Sequence, residues 1–367
     1  MPKTARSMTL SLGIVAVALG MAYAPTPVAE QSITVLSGSE LQEPLTQLEE
    51  KFEAAYPAID VEIKIQGSRD IVNNYIDDQN DFTPTVLIPA NGELLDELRD
   101  RWTAQSDKPV FYGEPQTIAR TFLVSLAWPE RGDRLFPSGT FDWDQVETAL
   151  EQGQWGQIGG EDNWGSFDLV ITDPSRSNSS QLALSLWSQN KTGSRSLTPT
   201  QLGTSDIADL FGLVKRSVYQ PPRSTDILLQ EFITRGPNEA DIAFVYESIA
   251  LYRWQQSAVT QNKAYQIYYL NPTIETASTA AIVTRDVNRA TADAAQTFVD
   301  FLAAPEQQAV FVEFGFRPAD ASFDLTAVPN SPWSQNIPGA EIMAPSTVTA
   351  PDETTLSEIV RQWQRAQ

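Results

Sequence analysis

The chain has 367 residues, 41% of them hydrophobic and 20% charged, with 47 acidic against 25 basic side chains and a formal net charge of −22. That length supports an ample core and favours two lobes over one, while so acidic a surface excludes nucleic acid and anionic lipid as partners. Cysteine and histidine are both absent, which removes disulfide staples, ordinary zinc and copper sites, Ser-His pairs and cysteine nucleophiles, so no cofactor is expected.

Lys3 and Arg6 precede an apolar run from Met8 to Ala22, followed by the small-x-small triplet Ala22-Tyr23-Ala24 before Pro25. This reads as a Sec-type signal peptide over residues 1–24, cut after Ala24. The alternative is a retained anchor, for which the run is short. With no later stretch apolar enough to span a bilayer and no cysteine to carry a lipid, the mature chain is expected to be soluble and kept in a periplasm.

Ser32–Leu36 then reads as a buried strand, and Leu41, Leu45, Leu48, Phe52 and Tyr56 fall on one helical face that Pro57 ends. Val61–Ile65 alternates as a second strand, Ile71, Val72, Tyr75 and Ile76 mark another helix, Val86–Pro89 is a third strand, and a helix runs from Gly92 to Trp102. Strand and helix in alternation predict a parallel α/β arrangement. Thr117–Trp128 is an extended stretch long enough to pass between lobes. Beyond it, strands are expected at Phe167–Ile171, Asp241–Tyr246 and Ala280–Val283. Helices are expected at Leu182–Trp187, Asp206–Val218, Ser224–Thr234, Glu247–Trp254, Ala290–Ala303 and Pro305–Phe314. The Pro-, Thr- and Ser-rich tail from Ser322 to Pro351 reads as a covering strap before a final helix.

Three strand-to-helix junctions carry small hydroxylated residues: Ser37-Gly38-Ser39, Gly67-Ser68-Arg69, and Ser175-Arg176-Ser177-Asn178-Ser179. Helix starts present unpaired N–H groups and the positive end of the dipole, so several converging at one sheet edge suit an anion or carboxylate. Ordinary helix capping is the bland account of each. Arg69 and Arg176 could fork onto an oxyanion, or else form surface ion pairs. Tyr246 could donate its hydroxyl to a ligand, and Glu247 could cap its helix, meet a cationic group, or orient Arg69 or Arg176. The tryptophans at 128, 143, 155, 164, 187 and 254 suggest a sugar platform or simple core packing. The acidic runs at 77–81 and 161–163 lack the spacing of a calcium loop, and no metal site is expected.

Taken together, the stretch SITVLSGSELQEPLTQLEEKFEAAYPAIDVEIKIQGSRD, the segment Asp173-Pro174-Ser175-Arg176-Ser177-Asn178-Ser179 and the ending Gly315-Phe316-Arg317-Pro318 resemble the bacterial extracellular solute-binding proteins of the type II periplasmic class, in particular the molybdate- and phosphate-receptor-like branch. Ser180 stands where that class usually has glycine. The resemblance implies an α/β fold in two lobes with mixed, mainly parallel sheets and a hinge. Lobe one would combine residues 31–117 with 276–345, lobe two would span 118–275, and 346–367 would form a strap and helix. It also implies a small-molecule or anion ligand between the lobes, held by Ser37, Ser39, Ser68 and Arg69 from one side. Ser175, Arg176, Ser177, Asn178, Ser179, Tyr246 and Glu247 would close from the other. The expected function is that of a monomeric, non-catalytic receptor delivering an oxyanion or small carboxylated solute to the membrane permease of an ABC importer. The rivals are a sensor subunit without a transporter, a sugar-binding protein, and a carboxylate-based glycoside hydrolase, which would need two facing acids in a cleft.

Overall fold

A computed structural model describes residues 30–366; the expected signal peptide lies outside the described residues. The first third alternates β1 (Gln31–Ser37), α1 (Gln42–Ala55), β2 (Ile59–Ile65), α2 (Ser68–Ile76), β3 (Val86–Ile88) and α3 (Glu93–Thr103). Strand β4 (Gln116–Ala127) leads to α4 (Pro129–Leu135), α5 (Trp143–Gln152), β5 (Leu169–Val170), α6 (Asn178–Thr192), α7 (Pro199–Leu202), α8 (Ser205–Ser217) and α9 (Thr225–Arg235). Then come β6 (Ile242–Tyr246), α10 (Glu247–Tyr252), α11 (Trp254–Gln261), β7 (Gln266–Tyr269) and β8 (Glu275–Ile282). The chain ends with α12 (Arg289–Ala303), α13 (Pro305–Glu313), β9 (Arg317–Pro318) and α14 (Glu353–Arg365).

The apolar spacing explains the helices. In α1, Leu45, Leu48 and Phe52 are fully buried while the intervening Glu49 and Glu50 are not, the one-sided pattern of a helix on a sheet. Tyr56 closes it, because the residue before Pro57 is pushed out of helical geometry.

The sheet runs β2-β1-β3-β8-β4-β6-β5, with β7 and β9 also paired to β4. Pairing is parallel in β2-β1-β3 and in β5-β6 and antiparallel wherever β4 or β8 takes part. The sheet is therefore mixed, with its parallel parts at the two ends. Its centre is the antiparallel β4–β8 pair.

Two apolar cores flank that pair. One joins Ile33 through Ala119 to Ala280 through Phe316, with Phe52, Phe298 and Phe311 at its centre. The other joins Leu123 through Ile274 and includes Phe211, Phe232 and Phe244. Strand β4 contributes Ile118 and Ala119 to the first core and Leu123, Val124 and Leu126 to the second. β4 and β8 are thus the crossings, and their polar middle, Thr121 beside Thr276 and Ala119 beside Ser278, is where the cores part.

The tail departs from the sequence reading, which placed residues up to 345 with the first lobe. Leu325, Val328, Trp333 and Ile337 pack into the second core instead, joined by Leu356, Ile359 and Trp363 of α14. Pairing of β9 with β4 carries the chain back across, and the amphipathic α14 finds its apolar partners on α7, α8 and α6. Four of the six tryptophans, at 128, 143, 155 and 187, are equally structural, while Trp164 and Trp254 are half-buried against the same core. Trp128 stacks on Phe232 at 5.0 Å, Trp143 lies 5.0 Å from Trp187, and Trp155 is fully buried. A packed ring offers no face to a sugar.

Candidate functional site

The carboxyl ends of β1, β2 and β3 and the loops after β5 and β6 face one another across the join between the cores. Crevices outside such strand ends are where α/β proteins bind small molecules. The lobes touch there. The Arg69 backbone N–H donates to the Arg176 carbonyl at 3.3 Å, and Arg176 grips Asp70 with Nη2 at 2.6 Å and Nε at 3.0 Å. Gly67 is required by this approach rather than by its backbone angle: a Cβ there would lie 2.7 Å from the Arg176 carbonyl oxygen and 3.1 Å from that of Arg223.

These contacts reassign the two arginines. Arg69 is buried and its Nη1 pairs with Glu97, which Arg101 also meets. Arg176 spends its guanidinium on Asp70 across the cleft. Each is neutralised by a carboxylate, and the N–H of Arg69 at the start of α2 is already occupied by a carbonyl. The predicted anion clamp of Arg69 and Arg176 is in this structure a pair of salt bridges, which an acidic chain supplies readily.

The serines divide similarly. Ser68 Oγ accepts the Ala90 N–H at 3.0 Å, Ser37 Oγ reaches the Gly38 and Ile88 carbonyls, and Ser175 turns back onto Asp173. Ser177 and Ser179 belong to a buried hydroxyl network with Thr172, Ser180 and Thr225, in which Thr225 donates to Ser179 at 2.8 Å. These side chains hold loops in shape. Ser39 is buried in the 3-10 turn Ser39–Leu41.

Of the roles open to Glu247 in the sequence, orienting Arg69 or Arg176 is not the one seen here. It forks onto Arg317, Nε to Oε2 at 2.9 Å and Nη2 to Oε1 at 2.8 Å, and receives the Tyr269 hydroxyl. Arg317 also donates to the carbonyls of Ile342 and Glu341 and lies over the rings of Phe122 and Trp333. This ion pair sits where β4, β7, β9 and α10 meet, so it braces the hinge.

Asn178 and Tyr246 do come together. Asn178 Nδ2 donates to the Tyr246 hydroxyl at 3.2 Å, both residues being buried. Opposite them the structure adds a residue the sequence reading passed over. Glu40, in the 3-10 turn Ser39–Leu41, is 5% exposed. Its carboxylate folds back over Gly38 so closely that any side chain at 38 would collide with it. Burial pushes the Glu40 carboxyl up to about 7, offset in part by its own backbone N–H and reinforced by the charge of Asp226. Burial likewise raises the Tyr246 hydroxyl well above its ordinary value, with the Glu40 charge adding to it, so the phenol stays protonated.

The turn carrying Glu40 packs on α9 of the other lobe. Asp226 in the first turn of α9 is bonded by Arg253, Nε at 2.7 Å and Nη2 at 3.0 Å, and Arg253 lies 3.8 Å from Glu43 of α1. Glu40 Oε1, Asn178 Oδ1 and Ser224 Oγ are buried without a protein partner, although buried polar groups are nearly always paired. Polar atoms from both lobes are thus left open along the contact between them. In sequence Glu40 is indistinguishable from any acid in a first helical turn; its burial depends on the other lobe.

A model of the family described as bacterial extracellular solute-binding protein matches residues 33–317. The curated proteins contain no sequence match. Among solved structures, the chain resembles a periplasmic thiamin binding protein, at TM-score 0.61 and 13% identity over 91% of this chain and 95% of that one. It also resembles the sulfate-binding protein SubI from Mycobacterium tuberculosis H37Rv, at TM-score 0.56 and 16% identity over 90% and 96%. Iron-bound HitA from Pseudomonas aeruginosa aligns at TM-score 0.54 and 14% identity over 91% and 99%. At such identities the likeness speaks to the two-lobed fold, whereas the family profile spans most of the chain. The chain belongs to the bacterial extracellular solute-binding proteins.

Proposed function

We propose that this protein is the periplasmic receptor of an ABC-type importer, acting as a monomer without catalysis and holding one small solute between its lobes. The lobes we assign are 31–117 with 276–317, and 118–275 with the tail from 325. The observation that carries the reading is the set of buried, partnerless polar atoms contributed by both sides of the cleft, Glu40 from one lobe and Asn178 and Ser224 from the other. A solute that satisfies both sides at once stabilises the closed arrangement over any open one, which is how ligand binding becomes a shape that a permease can read. Neighbouring folds that hold sulfate, thiamin and iron support a small solute and do not select one.

The test is thermal unfolding of the chain from Pro25 onward against oxyanions, carboxylates, amines and sugars. A solute at a hundred times its Kd adds about 2.7 kcal/mol to folding, and Asn178→Ala should abolish the gain measured against that variant's own unliganded melt, which the loss of the Tyr246 hydrogen bond lowers by about 1–3 kcal/mol. A gain that survives Asn178→Ala removes the cleft from the reading.

A further inference from the structure

Three features outside the hinge ion pair ask for an explanation: the buried Glu40 carboxylate with its partnerless Oε1, the surface cavity beside Glu147, Lys191 and Arg216, and the pocket behind the hinge at Arg120 and Glu275. The two cavities are open, and the charged groups that line them already pair with one another, as Lys191 with Glu147 and Arg120 with Glu275. Glu40 is different. It is buried at the interface of two lobes, and no cation answers it among the described residues.

We infer that the solute carries a positively charged nitrogen with N–H donors, an ammonium or amidinium, which docks between Glu40 Oε1 and Asn178 Oδ1 with Ser224 Oγ alongside. This rests on the cleft reading above and names its ligand class. The supporting chemistry is a count of donors and acceptors. Asn178 has spent its Nδ2 on Tyr246, leaving a carbonyl that can only accept. An ionised Glu40 can likewise only accept. The charged and titratable groups around it are Glu43 on α1, Asp226 on α9, Tyr246 at the end of β6 and Arg253 after α10, with the exposed Arg223 immediately before Ser224. Arg253 is committed to Asp226 and, through Nη1, to Gln256 at 3.0 Å. An anion brought to this place would meet the Glu40 carboxylate, and the Arg253 guanidinium beside it is already committed to Asp226. A cation instead supplies the missing charge and the missing donors together, the condition under which a buried carboxylate is tolerated. The oxyanion preference drawn from the sequence rested on the three Ser-rich helix starts together with Arg69 and Arg176, and both arginines are paired elsewhere.

A carboxyl that titrates near 7 links this recognition to protons. A cation binds the ionised form, so affinity should rise as pH rises through about 7, and should fall by up to about tenfold per unit on the acid side. Binding at neutral pH should release a fraction of a proton, and at pH 8.5 almost none.

The experiment is isothermal titration of the chain from Pro25 onward with putrescine, spermidine and agmatine, in buffers of differing ionisation enthalpy. A fully N-methylated diamine, sulfate, molybdate and maltose serve as comparators. The expected result is binding of at least one N–H-bearing cation, much weaker binding of its quaternary counterpart, and proton release that fades above neutrality. Glu40→Gln keeps the volume and removes the charge; it should weaken that cation about 10- to 100-fold and erase the pH dependence. An N–H cation that binds Glu40→Gln as well as wild type, or silence of all three amines, overturns the inference. Should an anion or the sugar bind in their place and be lost in Asn178→Ala, the cleft reading survives the failure; should that binding persist in Asn178→Ala, the cleft reading falls with it.

Discussion

Removing the Arg317 guanidinium by Arg317→Leu leaves Glu247, which is 0% exposed, as a buried carboxylate facing only the Tyr269 hydroxyl. It also strips the Ile342 and Glu341 carbonyls of their donors. Breaking one side of a buried pair costs about 3–5 kcal/mol, a large part of the roughly 5–15 kcal/mol that holds a domain together. Burial already raises the Glu247 carboxyl above its ordinary value, opposed by Arg317, and loss of Arg317 removes the opposition. A carboxyl whose folded pKa is raised destabilises the fold as pH rises through that value, and the penalty vanishes once the pH is low enough to protonate it in both states. The variant should therefore be most impaired at alkaline pH and recover toward wild type as the pH falls to the ordinary carboxylate value of about 4.3. Urea unfolding followed by tryptophan fluorescence and by circular dichroism at several pH values measures both effects, and agreement of the two probes tests the two-state treatment. The double variant Arg317→Leu with Glu247→Leu should be far less damaged than the sum of its parts, since replacing a whole buried pair by apolar groups is often close to neutral. A single-variant cost below about 1 kcal/mol with no pH dependence, the range of an exposed pair, would refute the hinge assignment.

Gly67→Val adds a Cβ 2.7 Å from the Arg176 carbonyl oxygen, so the lobes must part; since φ at Gly67 is −62°, no backbone strain accompanies it. X-ray scattering should show a larger radius of gyration with an unchanged circular dichroism spectrum, and an unchanged radius would mean that the lobes do not meet at this point. Truncation before Asp352 removes Leu356, Ile359 and Trp363 from the second core. Hydrogen exchange should then quicken in α6 and α8 and stay at its wild-type rate in β1 and α12; equal loosening of both halves would contradict the two-core description.

The elements of this protein are set down by short-range pattern. The period of Leu45, Leu48 and Phe52, the alternation of Val61 to Ile65 and the apolar run Val86–Ile88 each state one buried face, and a buried face needs no knowledge of what covers it. The crossing at Gln116–Ala127 was legible for the same reason, being too long and too apolar for a loop. Weaker patterns failed: the strand expected at Phe167–Ile171 survives only as Leu169–Val170, and Gln266–Tyr269 was not expected at all, because its strand character comes from pairing with β4.

The site divides along the same line. Ser-rich helix starts are visible in the chain, but hydroxyls serve loops and ligands alike, and only the fold shows Ser68 given to Ala90 and Ser179 to Thr225. Which carboxylate meets which arginine is a matter of distance between residues far apart in sequence. Asp70 reaches Arg176, Glu97 takes Arg69, and Glu247 takes Arg317. With 47 acids available to 25 bases, charge alone cannot choose those pairs, nor can it tell which of the many unpaired acids is buried. Tertiary structure decides that it is Glu40, by burying the residue against the other lobe and out of reach of water.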